Sequence, residues 1–168
     1  MKAIIYTSNT GSTAEYAQLL GKELNLPVHS LQQAKNKVPA GSEIIYLGWI
    51  MAGGIKGYKE AAKLYKVRAV CGVGMGQTGT QLKEVRDKNA IPQRIPLFTL
   101  QGNFDVKKLH GVYRFMMNVM VKTAGKGLAN KTDRTPEEDD MLDMMVNGGK
   151  RVSLQNLKAV TEWYKNIH

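Results

Sequence analysis

The sequence predicts an α/β fold, in which a doubly wound, five-stranded parallel sheet carries helices on both faces. The first observation behind this prediction is that short apolar runs, bounded by turn residues, alternate with longer helical patterns. The second is that the first apolar run leads through a polar loop directly into a helix. The length of 168 residues is enough for one full core, so a single domain spanning 1–168 is expected.

The first half of the chain supplies three strands and two helices. The strands are short apolar runs between turn residues, at 2–7, 26–30 and 43–49. The helices are longer segments with apolar residues at three- and four-residue spacing, at 12–24 and 57–66. The first helix, for example, places Ala17, Leu20 and Leu24 on one side, which predicts that this side faces the sheet.

The second half supplies two more strands and four helices. The strands are again apolar runs, at 67–74 and 96–101. The helices are predicted at 80–89, 106–124, 136–146 and 153–166. The helix 136–146 has the clearest start, because Thr135 caps it, Pro136 suits its first position and Glu138 completes a capping box. After its fourth strand, a five-stranded sheet of this kind needs only one more strand and one more helix. The segment near 106–147 is therefore predicted to be an extra helical segment.

The loop after the first strand is the most informative segment. Its residues supply hydroxyl and amide groups around one glycine: Ser8, Asn9, Thr10, Gly11, Ser12 and Thr13. Hydroxyls donate to phosphate oxygens, glycine lets the backbone approach closely, and a helix N-terminus favours an anion. The loop has no Lys or Arg, which argues against a nucleoside triphosphate site of the Walker type. It predicts a monophosphate held by hydrogen bonds, with simple helix capping as the alternative.

The pattern Ile4-Ile5-Tyr6-x-Ser8-x-x-Gly11-x-Thr13-x-x-x-Ala17-x-x-Leu20 resembles the flavodoxin signature at every specified position. This resemblance implies a flavodoxin-like fold over residues 1–105 and the final helix. It also implies that the loop of residues 8–13 binds the phosphate of FMN.

Two later loops are candidates for the walls of a flavin site. The loop after the third strand contains a large aromatic residue, aliphatic residues and glycines, and the resemblance implies that it flanks the flavin ring: Trp49, Ile50, Met51, Ala52, Gly53 and Gly54. A peptide at Gly53 or Gly54 is expected to flip on reduction. The loop after the fourth strand would form the second wall: Gly74, Met75, Gly76 and Gln77. The alternatives are a packed core tryptophan and ordinary glycine turns.

The second of these loops also has the spacing of a dinucleotide fingerprint. Gly74, Gly76 and Gly79 follow a strand and precede a helix in a G-x-G-x-x-G pattern. A dinucleotide site also needs an acidic residue at the end of the next strand, and none occurs before Asp105. The pattern therefore favours the flavin wall over NAD binding.

The chain is strongly basic, with a formal net charge of +10. Flavodoxins are typically acidic, and neither ring-flanking loop contains Asp or Glu. A less negative potential for the reduced flavin is therefore expected. The charge also favours an acidic redox partner protein, or a quinone at an anionic membrane surface, over nucleic acid, for which no motif is present.

The helix predicted at 106–124 has a narrow polar stripe and a wide apolar arc. That arc either packs against the following helix, which presents several methionines, or meets a partner or membrane surface. The segment 113–122 also resembles, loosely, the basic, Met-rich helix of menaquinone-dependent protoporphyrinogen dehydrogenases. No residue stands out as a catalytic base, and His110 is expected to be solvated or capping. No metal site is indicated.

The remaining sequence signals concern location. The single cysteine, Cys71, lies in an apolar strand and is expected to be buried in a protein from a reducing compartment. No secretory leader is expected, since only four apolar residues follow Lys2. The sequence contains no run of 18 apolar residues, so no transmembrane segment is expected. The expected location is the cytoplasm, with a peripheral membrane position as the alternative.

Together these features predict an FMN-binding, flavodoxin-like protein that carries out electron transfer or flavin redox chemistry. One alternative is a quinone-linked dehydrogenase of the same fold that acts on protoporphyrinogen. The other is a binding module that keeps the fold without the flavin.

Overall fold

The protein is described from a computed structural model, over residues 1–104 and 111–167. Its centre is a sheet in which the strand order is β2-β1-β3-β5-β6, and all neighbouring pairs along this order are parallel. The parallel strands are β1 (Ala3–Thr7), β2 (Val28–Ser30), β3 (Glu43–Met51), β5 (Lys66–Gly74) and β6 (Leu97–Gln101). This is the order of flavodoxin-like sheets, so the predicted five-stranded parallel sheet is confirmed.

A sixth strand differs from the prediction. β4 (Gly54–Ile55) pairs antiparallel with the end of β3, where Ile50 faces Ile55 and Met51 faces Gly54. The third strand therefore runs two residues beyond its predicted end at 49 and turns back as a hairpin. The predicted ring-flanking loop is thus mostly extended backbone.

Helices cover both faces of the sheet. They are α1 (Ser12–Leu24), α2 (Leu31–Lys37), α3 (Tyr58–Leu64), α4 (Leu82–Asn89), α5 (Gly111–Ala129), α6 (Pro136–Asn147) and α7 (Lys158–Asn166). One core layer joins α1 and α7 to the sheet through residues such as Leu20, Cys71 and Val160. The other joins α2, α3 and α4 through residues such as Tyr46 and Val85. The doubly wound arrangement is therefore confirmed.

The helical predictions need correction in three places. α2 was not predicted, although Ser30 and Gln33 form a reciprocal capping box at its start. The predicted helix 153–166 begins instead with a short 3₁₀ turn, Gln155–Leu157, and becomes α-helical at Lys158. The helix predicted at 106–124 is described from Gly111 and continues to Ala129. Residues 106–110, including His110, lie outside the described part of the chain.

The ends of the extra helical segment are joined to each other by a backbone bridge just after β6. Phe104 and Gly149 form an antiparallel bridge and exchange both backbone hydrogen bonds, at N–O distances of 3.0 and 3.1 Å. The capping box predicted for α6 is present, since the Glu138 N–H donates to Thr135 Oγ1 and the Thr135 N–H donates to Glu138 Oε2. α5 and α6 pack on each other, which is one of the two alternatives left open by the sequence, and Phe115 on α5 remains 70% exposed.

None of the helices within residues 1–104 and 111–167 has both the length and the apolar character that crossing a membrane requires.

Candidate cofactor-binding cleft

A cleft of about 530 Å³ opens at the carboxyl ends of β1, β3 and β5. This is the edge at which doubly wound sheets bind ligands, because the strand order reverses between β1 and its neighbours there. The volume lies within the range of roughly 300–1,000 Å³ that is typical of small-molecule sites. Three loops form its floor and walls, and the inserted helices close one side.

The loop between β1 and α1 forms one end of the cleft. Gly11 caps α1 with a φ of 106°, a left-handed conformation that favours glycine, and no side chain caps the helix. The first intrahelical bond runs from the Glu15 N–H to the Gly11 carbonyl, so the N–H groups of the first turn remain for another acceptor. This end of the cleft therefore suits an anion.

Ser8 carries an unsatisfied polar group in this loop. Its Oγ is buried and has no hydrogen-bond partner within residues 1–104 and 111–167. A buried hydroxyl without a partner costs free energy, on the order of 1–3 kcal/mol, unless a ligand or water satisfies it. An anion at the start of α1 is the kind of acceptor that would do so.

Ser12 has a structural role that the sequence did not indicate. The Asn103 N–H donates to Ser12 Oγ at 3.0 Å, and the Ser12 hydroxyl lies 3.4 Å from the Asn103 carbonyl oxygen. The Ser12 side chain therefore joins α1 to the end of β6. Because the hydroxyl is occupied, the backbone N–H of Ser12, at the first position of α1, is the group that this residue can still offer to a ligand.

The hairpin of β3 and β4 forms the second wall. Its turn residues, Ala52 and Gly53, both have positive φ, 47° and 75°, which is the mirror-image turn that matches strand twist. Trp49 leads into this turn, and Lys56 Nζ lies 5.7 Å from the centre of the Trp49 ring. The aromatic and aliphatic side chains before the turn give the cleft a largely apolar wall.

Tyr46 supports the base of this hairpin. Its hydroxyl donates to the Lys56 carbonyl oxygen at 2.7 Å and lies 2.8 Å from Thr7 Oγ1. Burial raises the pKa of Tyr46 well above its ordinary value, so the hydroxyl keeps its proton. A Cβ on Gly57 would collide with this pair of oxygens, which explains the glycine at that position. β1 and the hairpin are thus tied together beside the cleft.

The loop after β5 forms the third wall. The Gly102 N–H donates to the Gly74 carbonyl oxygen at 2.7 Å, and Thr80 Oγ1 donates to the Gln77 carbonyl oxygen at 2.7 Å, so both ends of the loop are held. Gln77 lines a smaller adjoining cavity of about 210 Å³, together with Glu137 and Asp140 of α6. The predicted contact between Gln77 and a flavin in the main cleft would have to be made through this smaller cavity.

The inserted helices close the cleft. Ala124 of α5 and Met141 and Met145 of α6 line it, together with Phe104 at the end of β6. α6 is held in place through Asp140, which accepts a hydrogen bond from Gln101 Nε2 at 2.6 Å and one from Arg151 Nη2 at 3.1 Å. This apolar wall was not predicted, since nothing in the sequence of α6 indicates which element its methionines meet.

The charge of the cleft is unlike that of the whole chain. Glu84 of α4 is the one charged side chain among the described lining residues, and no Lys or Arg joins it. A Cβ on Gly53 would lie 3.6 Å from Glu84 Oε1, which places this carboxylate beside the hairpin turn. The sequence did not identify Glu84, because it lies outside both ring-flanking loops.

Most of the predicted site residues meet at this cleft. Those that line it are Asn9, Thr10, Ser12, Thr13, Trp49, Ile50, Met51, Ala52, Gly53, Gly74, Met75 and Gly76. Ser8 and Gly11 lie in the same loop without lining the cleft, Gly54 lies in β4, and Gln77 lines the adjoining cavity. Their roles toward a ligand stay predictions.

The donor set fits a flavin mononucleotide. A phosphate needs the N–H groups and hydroxyls at the start of α1, including the buried Ser8 Oγ, and a planar ring needs flat apolar walls with closely approaching backbone. Asn9, Thr10, Ser12 and Thr13 at the start of α1 line the same cleft as the apolar walls, and Ser8 lies in the same loop without lining the cleft. No group of three His, Cys, Asp or Glu side chains in the described part of the chain is arranged to hold a metal ion. Cys71 is fully buried in β5, as predicted, and is not among the described residues that line the cleft.

The comparison with known proteins agrees with this architecture. A protein-family model described as a flavodoxin domain matches residues 3–131, which extends from β1 into the inserted segment. Neither a curated protein nor a solved structure matches the chain significantly. Because the family match covers most of the chain, and the strand order and the cleft agree with it, the protein belongs to the flavodoxin family.

Proposed function

We propose that this protein binds FMN in the cleft and uses it for electron transfer. The observation that carries the proposal is the continuity of the cleft, from the neutral donors at the start of α1 to the apolar walls of the hairpin and the 74–77 loop. Flavodoxin domains usually bind a flavin, which supports the choice of ligand. FMN would supply the redox chemistry, taking up and releasing one or two electrons.

The residues of this chain would bind and orient the cofactor. The N–H groups of the first turn of α1 and the hydroxyls of Ser8, Thr10 and Thr13 would hold the phosphate by hydrogen bonds. Trp49 and Met75, from the two walls, would contact the ring. The methionines of α6 would exclude water from its exposed side.

Ser8 gives the sharpest test of the phosphate site. Ser8→Ala removes one charge-assisted hydrogen bond, which is worth about 1.5–3 kcal/mol, so the affinity for FMN is expected to fall by about 10- to 100-fold. Riboflavin lacks the phosphate, and its affinity is expected to change little. Ser42→Ala is a matched control, because Ser42 lies just before β3, at the edge of the sheet opposite to the cleft. Titration of flavin fluorescence measures the affinities of the wild type and the two variants for both flavins.

The outcomes separate the candidate functions. If the wild-type chain takes up no FMN and the purified protein is colourless, the proposal fails and a flavin-free binding module is left. If Ser8→Ala weakens FMN and riboflavin equally, the flavin binds but its phosphate does not lie at α1. Mass identification of any flavin released on denaturation names the cofactor.

The inserted helices favour a second candidate, a quinone-linked dehydrogenase of this fold that acts on protoporphyrinogen. The specific observation is the apolar wall of Phe104, Met141 and Met145, which suits a second, apolar reactant next to the ring. Oxidation of protoporphyrinogen with a menaquinone analogue as acceptor tests it. An FMN-loaded protein that shows no such turnover is left as an electron carrier.

The net charge of +10 supports an acidic redox partner or an anionic quinone-containing membrane as the surface at which the protein works. Binding to either is expected to weaken as salt is added, because exposed charges are screened. Binding that is independent of salt would contradict docking by charge.

A further inference from the structure

Asn89 is a buried polar side chain for which the proposed function gives no role. It is the last residue of α4 and is 6% exposed. A buried amide is stable only when its donors and acceptor are satisfied. Asn89 satisfies them largely through the hairpin that forms one wall of the cleft.

Three hydrogen bonds join Asn89 to its surroundings. Its Oδ1 accepts from the Ile55 N–H at 2.7 Å. Its Nδ2 donates to the Gly53 carbonyl oxygen at 2.8 Å and to the Val85 carbonyl oxygen at 2.7 Å. Both Nδ2 hydrogens are therefore used, and one amide fastens the turn and β4 to α4.

The peptide that Asn89 holds has little steric resistance to rotation. It joins Gly53 to Gly54, and neither residue has a Cβ that would restrict the backbone. A Cβ at Gly53 would meet nothing closer than 3.6 Å, so the surroundings leave room as well. The hydrogen bond from Asn89 and the pairing of Gly54 with Met51, rather than crowding, therefore fix the direction of the Gly53 carbonyl.

This direction matters because Gly53 lines the cleft. A peptide carbonyl is a strong dipole, and its negative oxygen is directed to α4 while the bond to Asn89 holds. A carbonyl turned the other way would accept a hydrogen bond from a ring N–H in the cleft. Such a bond would favour the more reduced, more protonated ring.

We propose that Asn89 is a positioning residue that holds the Gly53 carbonyl away from the cleft and so limits the stabilisation of reduced FMN. The proposal rests on the proposed function for its ligand. It differs from the expectation for a freely flipping glycine peptide, because here the peptide is fastened by a side chain from another element. Asn89 acts through the backbone and does not itself contact the cleft.

The first test uses the FMN-free protein, so that it does not depend on the cofactor. In Asn89→Ala, the Ile55 amide loses its acceptor, and its hydrogen exchange measured by NMR is expected to accelerate by up to about tenfold, the equivalent of one hydrogen bond. Asn156→Ala is the matched control. Asn156 makes two similar bonds, to Tyr16 Oη at 2.7 Å and to the Arg151 carbonyl at 2.9 Å, on the opposite face of the sheet. Ile55 exchange that is equal in the two variants would overturn the clamp.

The second test measures the reduction potentials of bound FMN. Asn89→Ala is expected to favour the reduced side by about tenfold, a shift of about +59 mV for one electron. Asn156→Ala is expected to leave the potentials unchanged, although it also removes buried hydrogen bonds. Equal potentials in wild type and Asn89→Ala would overturn the proposal.

Asn89→Asp keeps the proposal testable if the alanine variant does not fold. Aspartate retains the acceptor for the Ile55 N–H, but it cannot donate to Gly53 and places a second oxygen beside that carbonyl. Ile55 exchange should therefore stay slow while the potential becomes less negative, which is opposite in sign to the effect of the added carboxylate alone; a more negative potential would count against the proposal. If instead the potential shifts only in a variant whose Ile55 amide exchanges faster, strand pairing and not the carbonyl is responsible. If the wild type takes up no FMN, the proposed function and the effect on the potential both fail, whereas the exchange result still decides whether the clamp exists.

Discussion

Ile50 lies directly over Gly72, and a Cβ on that glycine would approach Ile50 Cδ1 to 2.8 Å and Cγ1 to 3.1 Å. Ile50 lines the cleft, while Gly72 lies inside β5, between β3 and β6. The wall of the cleft therefore rests on the bare backbone of a neighbouring strand. A side chain at position 72 would have to displace the Ile50 side chain rather than fill a space.

Gly72→Ala is accordingly expected to destabilise the fold by about 1–3 kcal/mol, the usual cost of overpacking, and to weaken FMN binding. Denaturant unfolding and flavin titration measure the two effects. Gly125→Ala is the matched control, since a Cβ there meets nothing within 4 Å and the residue is helical. That substitution should stabilise the protein by up to about 1 kcal/mol. Similar behaviour of the two variants would show that Ile50 moves aside freely.

The reduction potential of the bound flavin should be less negative than that of an acidic flavodoxin. The chain carries a net charge of +10, and the described lining of the cleft has one carboxylate and no second acid to oppose an anionic reduced ring. Potentiometry of the FMN-loaded protein checks this expectation. A strongly negative second couple, of the kind typical of acidic carriers, would contradict it.

Glu84→Gln should raise the potential further. The carboxylate lies at the hairpin turn, and removing its charge favours the reduced flavin, by roughly 20–70 mV at the effective dielectric of a protein surface. High salt should diminish the shift, because Glu84 is exposed. Glu23→Gln, near the far end of α1, removes the same charge away from the cleft. If both variants shift the potential equally, net charge alone is responsible.

Cys71 should be unreactive in the folded protein. Its side chain is fully buried in β5, and burial raises the pKa of the thiol to about 12. At pH 8 almost no thiolate is present and no reagent can reach it, so a thiol-specific chromogenic reagent should give no signal until denaturant is added. Rapid labelling without denaturant would mean that the centre of the sheet opens readily.

The start of α6 should be sensitive to acid. The hydrogen bond from Lys131 holds the pKa of Glu138 below its ordinary value of 4.5 in the folded protein. The resulting stabilisation is fully present above pH 4.5 and is lost as the pH falls through the lower, folded value. Glu138→Gln keeps a capping side chain without the charge, so its melting temperature should lie below that of the wild type at pH 6 and match it near pH 3.

A control for this prediction is Glu162→Gln, which breaks an exposed pair in α7 whose charged atoms are 3.9 Å apart. Its effect at pH 6 should be smaller. A difference between Glu138→Gln and wild type that persists unchanged at pH 3 would assign the effect to packing and not to charge.

Much of the fold was predictable because its signals are local. The parallel strands are apolar runs with turn residues at both ends, and the Thr135–Glu138 capping box marked the start of α6. The same motif at Ser30 and Gln33 went unrecognised, because α2 buries only Leu31 and Ala34 and lacks a sustained apolar pattern. The hairpin was missed because its turn is Ala52-Gly53, without the usual Asn or Asp.

The parts of the site that were not predicted depend on pairs distant in sequence. Ser12 and Asn103 are 91 residues apart, so no local pattern indicated that the Ser12 hydroxyl is occupied by a backbone partner. Glu84 and Asn89 reach the hairpin from α4, and their sequence context is that of an ordinary polar helix. The residue types in the loops indicated which segments would line a site, whereas the contacts between elements can be seen only in the packed structure.

The pairing of Phe104 with Gly149 makes the intervening segment separable from the rest of the protein. The chain leaves the end of β6 and returns to the same place, so a tight turn between these two residues could replace α5 and α6 without changing the order of the sheet. Such a shortened protein would keep the loop at α1, the hairpin and the 74–77 loop but would lose the methionine wall. Under the proposed function, the segment would be an exchangeable module: replacing it would change which reactants can approach the cleft, while the loops proposed to bind FMN would stay the same.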